Sequence, residues 1–332
     1  TFLIGEHLGG DGGNPVYSVA DGIVTLSQDV QRNSVVRKMA ILKMRGQATL
    51  PGLHTLRIGA QGVEVFAPPD ARMRVADQGP LAQRLSTGVA TLDVMLAGGL
   101  PSGYSLLVAG PSGSGKSILA SAFLVEGARC GETGVIAVFE QRVKHSRPPA
   151  LVELIDSGRV ALVDNRAPDL SIDEVVGLLI AEVRRLKATR VVIDSLSGFE
   201  LALAPTFRAD FRESLARLVT ALAAQGVSVL MTSELEDRYT DLRFSPHGTA
   251  FLTDAIVVQR YIEIDSRLLR VMAVVKLRAS RHSDELRLYR IDEHGIQIGA
   301  TLPDHDGLLG GRPTRKPATA RPDQAPLAAP TR

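Results

Sequence analysis

The sequence predicts an α/β fold: a parallel-rich central sheet flanked by helices, preceded by the closing part of a second domain of the same kind. Three observations carry this. Apolar runs of strand length alternate with amphipathic helical runs between about residues 105 and 232, which implies parallel strands joined by crossover helices. The first strand-to-helix step encloses a Gly/Ser-rich loop. A stretch of about fifty residues near the start of the chain recurs near its end in one unbroken register.

The repeat organises the chain. Asp21-Gly22-Ile23-Val24 matches Asp254-Ala255-Ile256-Val257, Lys43-Met44-Arg45 matches Lys276-Leu277-Arg278, and Arg57-Ile58 with Gly62 matches Arg290-Ile291 with Gly295. Arg37, Met39 and Ala40 fall on Arg270, Met272 and Ala273. Every pair is 233 positions apart, as from Asp21 to Asp254. Residues 1–70 are therefore expected to be the C-terminal part of a first domain whose P-loop half is absent from this sequence. Short of that half, this part is expected to be unstable unless docked, with one sheet face and edge uncovered. Residues 71–84, rich in Pro, Gly and mixed charge, read as a linker. Residues 85–302 form the complete domain, and the Gly-, Pro-, Ala- and Arg-rich stretch 303–332 reads as disordered.

Within the complete domain the elements follow in order. Ser105 to Ala109 reads as a buried strand and Ile118 to Arg129 as a helix. Gly134 to Phe139 is a strand that runs into Glu140. Ser171-Ile172-Asp173-Glu174 has the capping-box spacing, so a helix begins there and continues to Lys187, with Val175, Val176, Leu179, Ile180 and Val183 on one side. Arg190 to Asp194 is a buried strand, Phe207 to Gln225 a helix stopped by Gly226, and Val227 to Thr232 another strand. Arg270 to Leu277 reads as β, and Leu286 to Ile291 with Gly295 to Ile298 as a hairpin turning at Asp292-Glu293-His294-Gly295.

The loop Gly110-Pro111-Ser112-Gly113-Ser114-Gly115-Lys116-Ser117 is a glycine, four residues, then Gly-Lys-Ser, between a strand and a helix, which is the P-loop pattern. Glycines let backbone N–H groups turn inward on phosphate oxygens, and the helix N-terminus adds positive potential. The stretch Gly110 to Ile118 is thus expected to hold the phosphates of a nucleotide. Lys116 would reach the β- and γ-phosphates and the Ser117 hydroxyl would ligate Mg²⁺. Asp194, at the tip of an apolar strand, suits the second hold on Mg²⁺, and Glu140 suits positioning and deprotonating an attacking water. Lys276 and Arg278, two apart on a strand, project the same way. Their recurrence at Lys43 and Arg45 argues for a shared phosphate-directed task.

Composition narrows the rest. Hydrophobic residues make up 45% of the 332 and charged residues 22%, which is a globular balance. A net charge of +2 does not demand nucleic acid. Cys130 is the single cysteine, so no disulfide framework or Cys-x-x-Cys zinc site exists within one chain, which fits a reducing cytoplasm. No apolar run reaches membrane-spanning length, and no membrane partner is expected.

The linear pattern resembles the KaiC-like ATPases of the RecA superfamily. Ser86-Thr87-Gly88, Leu92-Asp93, Gly98-Gly99-Leu100 and Gly103 lead into the P-loop as in that family. Phe139-Glu140, Ile193-Asp194-Ser195-Leu196-Ser197, Thr253-Asp254 and Lys276-Leu277-Arg278 continue the likeness. It runs from Thr1 to about residue 300 and includes a double-domain layout. The resemblance implies a RecA-like P-loop NTPase fold and a cytoplasmic, Mg²⁺-dependent ATPase converting ATP and water to ADP and phosphate. It also implies ring homo-oligomers, usually hexamers, with ATP at subunit interfaces and a regulatory or signalling output through a protein partner. Lys116, Glu140, Ser117 and Asp194 would serve from one subunit, with Lys276 and Arg278 reaching the neighbour's γ-phosphate and Arg278 acting as a trans arginine finger. The family's clock members phosphorylate an adjacent Ser-Thr pair, and the matching positions here are Ala250 and Phe251. Serine/threonine autokinase activity is therefore one alternative, and a DNA-dependent ATPase, using Arg238, Arg243 and His247 of the loop 235–248, another. Nucleic acid is the less favoured partner.

Overall fold

The computed structural model describes residues 2–6, 16–31, 34–66, 83–139, 147–164, 170–208, 211–235, 251–310 and 313–316. In chain order these form α1 (Val16–Val19), β1 (Gly22–Gln31), β2 (Ser34–Met44), β3 (His54–Gly59), β4 (Gly62–Phe66), β5 (Arg84–Leu85), α2 (Ala90–Met95), β6 (Leu100–Pro101) and β7 (Ser105–Gly110). There follow α3 (Lys116–Arg129), β8 (Gly134–Val138), α4 (Pro149–Asp156), β9 (Val160–Val163), α5 (Ile172–Leu186), β10 (Arg190–Asp194), α6 (Leu196–Ala202), α7 (Pro205–Arg208), α8 (Phe211–Ala223) and β11 (Ser228–Glu234). The last elements are β12 (Ala255–Ile264), β13 (Arg267–Leu277), β14 (Arg287–Asp292), β15 (Gly295–Thr301), β16 (His305–Asp306) and β17 (Thr314–Arg315).

A nine-stranded sheet of order β15-β14-β13-β12-β7-β11-β10-β8-β9 is the backbone of the molecule. From β12 to β9 neighbouring strands are parallel; from β12 to β15 they are antiparallel. β7, β8 and β10 are buried on both faces, as continuous apolar strands of a covered parallel sheet should be. One face packs against α5, α6 and α8 and the other against α2, α3 and α4.

The expected elements are present with shifts at their ends. Ser171 caps α5 by accepting from the Glu174 N–H at 3.2 Å. The other half of a capping box is replaced, because the Glu174 carboxylate pairs with Arg57 at 2.7 Å instead. Of the helix expected over 207–225, the described residues carry the end of α7 and all of α8; residues 209 and 210 lie outside the described residues. The 292–295 turn closes β14 onto β15, with Asp292 paired to Gly295. Past residue 302, β16 pairs with β17 and Leu308 is buried against Ile262 and Val271; residues 317–332 lie outside the described residues.

The sequence repeat is a repeat in space. β1 and β2 pair Gly22 with Met44, Ile23 with Lys43 and Val24 with Ile41, with a bulge at Ile23/Val24. β12 and β13 pair Ala255 with Leu277, Ile256 with Lys276 and Val257 with Val274, with a bulge at Ile256/Val257. Each pairing is the other displaced by 233 residues. Asp21 pairs with Arg45 at 3.1 Å and Asp254 with Arg278 at 3.3 Å.

The environments of the copies differ. β1 to β4 form a separate four-stranded sheet. Val24, Leu26, Leu42, Ile58 and Val63 are all more than half exposed, whereas their counterparts Val257, Gln259 and Ile296 are buried. The other side of this sheet docks on the main domain. Val36, Ala40, His54 and Leu56 are buried, and Lys38 lies over the Phe207 ring at 5.6 Å. Among the described residues no helix is long and apolar enough to cross a membrane.

Candidate functional site

All the parallel strands end on one edge of the sheet, where loops from several strands converge and α/β folds bind ligands. The P-loop leaves β7 at that edge. Its turn needs left-handed backbone at Gly113 (φ +74°) and Gly115 (φ +100°), conformations that favour glycine. Space also excludes a side chain at Gly110 and is tight at Gly115. A Cβ on Gly110 would lie 2.8 Å from the Gln259 Cβ, and one on Gly115 would lie 2.7 Å from the Ile291 Cδ1. Gly115 precedes α3, so the first N–H groups of a fourteen-residue helix open into the loop.

Each P-loop side chain has a defined place. Lys116 Nζ donates to the carbonyls of Gly110 and Pro111, both at 2.8 Å, so the ammonium stands over the loop. Ser117 is exposed at the start of α3. Ser114 is fully buried, its hydroxyl donating to Gln259 Oε1 at 2.9 Å and its carbonyl accepting from the Tyr289 hydroxyl at 2.6 Å. Burial pushes the Tyr289 pKa well above its ordinary value, so the phenol stays a donor. Tyr261 adds a longer bond to the Ser112 carbonyl at 3.4 Å.

Asp194 ends β10 on the same edge. Its Oδ1 accepts from Thr232 Oγ1 at 2.5 Å, and Thr232 sits on β11, the strand between β10 and β7. The hydroxyl of Ser117 and the carboxylate of Asp194 are hard oxygen donors of the kind that hold Mg²⁺ beside nucleotide phosphates. The Asp194–Ser195 peptide is cis. Phe139 leads from β8 towards Glu140, which lies outside the described residues, as do Ala250 and residues 236–248.

Lys276 and Arg278 are not brought to this edge. β12 starts beside the start of β7, pairing Ala255 with Leu106, and β13 runs back to end at Leu277 opposite Ala255. The two cations therefore stand at the edge where β7 begins, and the P-loop stands where β7 ends. The four residue steps from Leu106 to Gly110 span about 13 Å along the strand. The side chains also point away from the loop. Lys276 Nζ donates to the Thr253 carbonyl at 2.5 Å, and Arg278 donates to the Phe251 carbonyl at 2.7 Å and to Asp254 at 3.3 Å. Lys276 has its pKa lowered, first by burial and then by neighbouring Arg278, with Asp254 opposing. Thr253 itself is fully buried.

Sequence reasoning missed Thr232, Gln259 and Tyr289. Gln259 left a trace, as a lone amide within the apolar run Ala255 to Ile264. Nothing in the linear pattern tied Tyr289, 175 residues away, to Ser114.

With the geometry in view, the chain can be compared with known proteins. A family model described as the KaiC ATPase matches residues 2–70 and 85–302. The circadian clock oscillator protein KaiC of a Picosynechococcus species is 28% identical over 303 residues, covering 90% of this chain and 58% of that protein. The Rippkaea orientalis KaiC and the Synechocystis KaiC 1 are each also 28% identical, over 90% of this chain and 57% of theirs. The chain thus spans somewhat more than half the length of these relatives.

Proposed function

The chain belongs to the KaiC ATPase family, and from that premise we propose that it binds ATP with Mg²⁺ and hydrolyses it at the interfaces of a ring, with a regulatory output. The observation that carries this reading is the glycine-rich turn between β7 and α3 together with two cations held at the opposite sheet edge. Cations so placed cannot serve the P-loop of their own chain, yet a head-to-tail neighbour would receive them. A heterologous contact of this kind closes into a ring when its rotation allows.

The roles follow from position. The N–H groups from Gly113 to Ser117 bind the β- and γ-phosphates, and Lys116 leaves the Gly110 and Pro111 carbonyls to lie along them. Ser117 and Asp194 would hold Mg²⁺, with Thr232 fixing the carboxylate. When bound, Mg²⁺ neutralises charge building on the phosphate oxygens. Glu140 orients the water and takes its proton. Arg278 and Lys276 of the neighbouring subunit stabilise the γ-phosphate as it transfers, an effect worth about 10³ to 10⁵ in rate for an arginine finger.

The test follows γ-labelled ATP with Mg²⁺, measuring free phosphate and protein-bound label in one tube, with Lys116→Ala as the blank. Free phosphate that depends on Lys116, with no label on the chain, is the expected result. Label on the protein would replace this reading with a kinase whose acceptor is neither Ala250 nor Phe251.

A further inference from the structure

Tyr289 and the P-loop lie far apart in sequence, yet the tyrosine holds one particular peptide of the loop. Its hydroxyl donates to the Ser114 carbonyl at 2.6 Å, and Tyr289 is only 5% exposed. The Ser114–Gly115 peptide is trans, the only cis bond described being Asp194–Ser195. In a trans peptide the C=O and the following N–H point in opposite directions. Tying the Ser114 carbonyl to β14 therefore turns the Gly115 N–H away from that strand. The Ser114 hydroxyl bond to Gln259 at 2.9 Å fixes the same residue from β12, so both polar ends of Ser114 are anchored to the sheet.

Backbone geometry alone does not hold that orientation. Gly115 has a left-handed φ of +100°, and glycine reaches many conformations at little energetic cost. A flipped peptide would present a carbonyl oxygen, not an N–H, to a phosphate. We propose that the Tyr289 hydroxyl is a positioning group for phosphate binding, holding the Ser114–Gly115 peptide with its N–H turned to the ligand. This rests on the nucleotide reading of the P-loop.

The hydroxyl is not a requirement of the fold. At the matching place in the first copy the hairpin carries Leu56, which is buried at 4% exposure with no hydroxyl to place. The phenol also stays protonated, since burial raises its pKa, so the donor persists across the working range of pH.

The experiment is Tyr289→Phe in the full chain, which keeps the ring and removes the hydroxyl. Affinity for a fluorescent ATP analogue and the steady-state constants are measured beside wild type and Lys116→Ala. Loss of one net hydrogen bond gives about three- to tenfold weaker nucleotide binding. Because the N–H contact exists in the ground state and the transition state alike, KM rises by that factor and kcat changes little. Gln259→Leu, which removes the second anchor, shifts KM the same way.

If wild type binds the analogue, Lys116→Ala does not, and Tyr289→Phe binds as wild type does, the positioning role is overturned while the nucleotide reading stands. A lower melting temperature with unchanged affinity overturns it too, since the tyrosine is then structural. If wild type fails to bind nucleotide, the P-loop reading falls and the positioning role with it.

Discussion

Arg190 opens the strand that ends at Asp194, and it is the most deeply buried cation described, at 1% exposure. Its guanidinium forks onto Glu132 at 2.7 and 3.2 Å and donates to the carbonyls of Ser86 at 2.6 Å and Phe123 at 2.8 Å. It also lies 4.5 Å over the Phe123 ring, against Gly127, where an added Cβ would meet it at 2.6 Å. One side chain thus clasps β10, the P-loop helix α3 and the segment that enters the domain. Arg190→Met keeps the hydrocarbon stem but strands Glu132 and two carbonyls. Breaking a buried ion pair costs about 3–5 kcal/mol. Glu132 is 18% exposed, so water can return to it, which puts the expected loss near the lower end, about 3 kcal/mol. For a domain of this size that lowers Tm by about 10 °C. Burial works to raise the Glu132 pKa, but the Arg190 and Thr189 hydrogen bonds outweigh it and hold the pKa below its ordinary value. The pair's contribution is therefore present at neutral pH and lost as pH falls through that depressed value. Urea titrations of both proteins at neutral and acid pH measure this directly. A loss under about 1 kcal/mol at neutral pH would refute the clasp, because a buried cation with four such bonds cannot be that cheap to remove.

Two further predictions concern pH. The lowered Lys276 pKa means its charge disappears at lower pH than an ordinary lysine's, so turnover should fall on the alkaline side while stability in the same window rises. Lys276→Arg should move the alkaline limb of the rate profile upward, and an unmoved limb would exclude Lys276 as its source. Asp173, in the first turn of α5, has its pKa raised by burial, against the opposing pull of Arg217 and His54. A raised carboxyl stabilises the fold at low pH and loses that contribution as pH rises through its folded value. Asp173→Asn should flatten the dependence of the urea midpoint across that window, and an unchanged slope would count against it.

How much the sequence revealed depended on whether chemistry was local or tertiary. The P-loop was legible because its glycines, Lys116 and Ser117 are fixed by backbone geometry within eight residues. Asp194 was legible because a carboxylate ending an apolar strand is conspicuous. The hairpin repeat was legible at a distance because both copies keep the bulge and the Asp–Arg pair, which constrain many positions together. The capping box was half right: Ser171 accepts its bond, but Arg57 takes the Glu174 carboxylate, a partner that only docking of the first sheet supplies. The side of the sheet that receives Lys276 and Arg278 was not legible either. Spacing predicts a shared strand face, but β13 ends at Leu277 and Arg278 lies in the turn beyond it, and only the β12–β7 register shows which edge they reach. Tyr289 was invisible because its meaning lies in a carbonyl 175 residues away.

The proposed ring requires each nucleotide to be served by two chains. Lys116→Ala and Arg278→Ala chains, each inactive alone, should be mixed in equal amounts before ATP is added and assayed for phosphate release. With random assembly about one interface in four joins an intact P-loop to an intact Arg278, so about a quarter of the wild-type rate should return. Recovery of that size supports a shared site. Two inactive chains that stay inactive after confirmed co-assembly would contradict it.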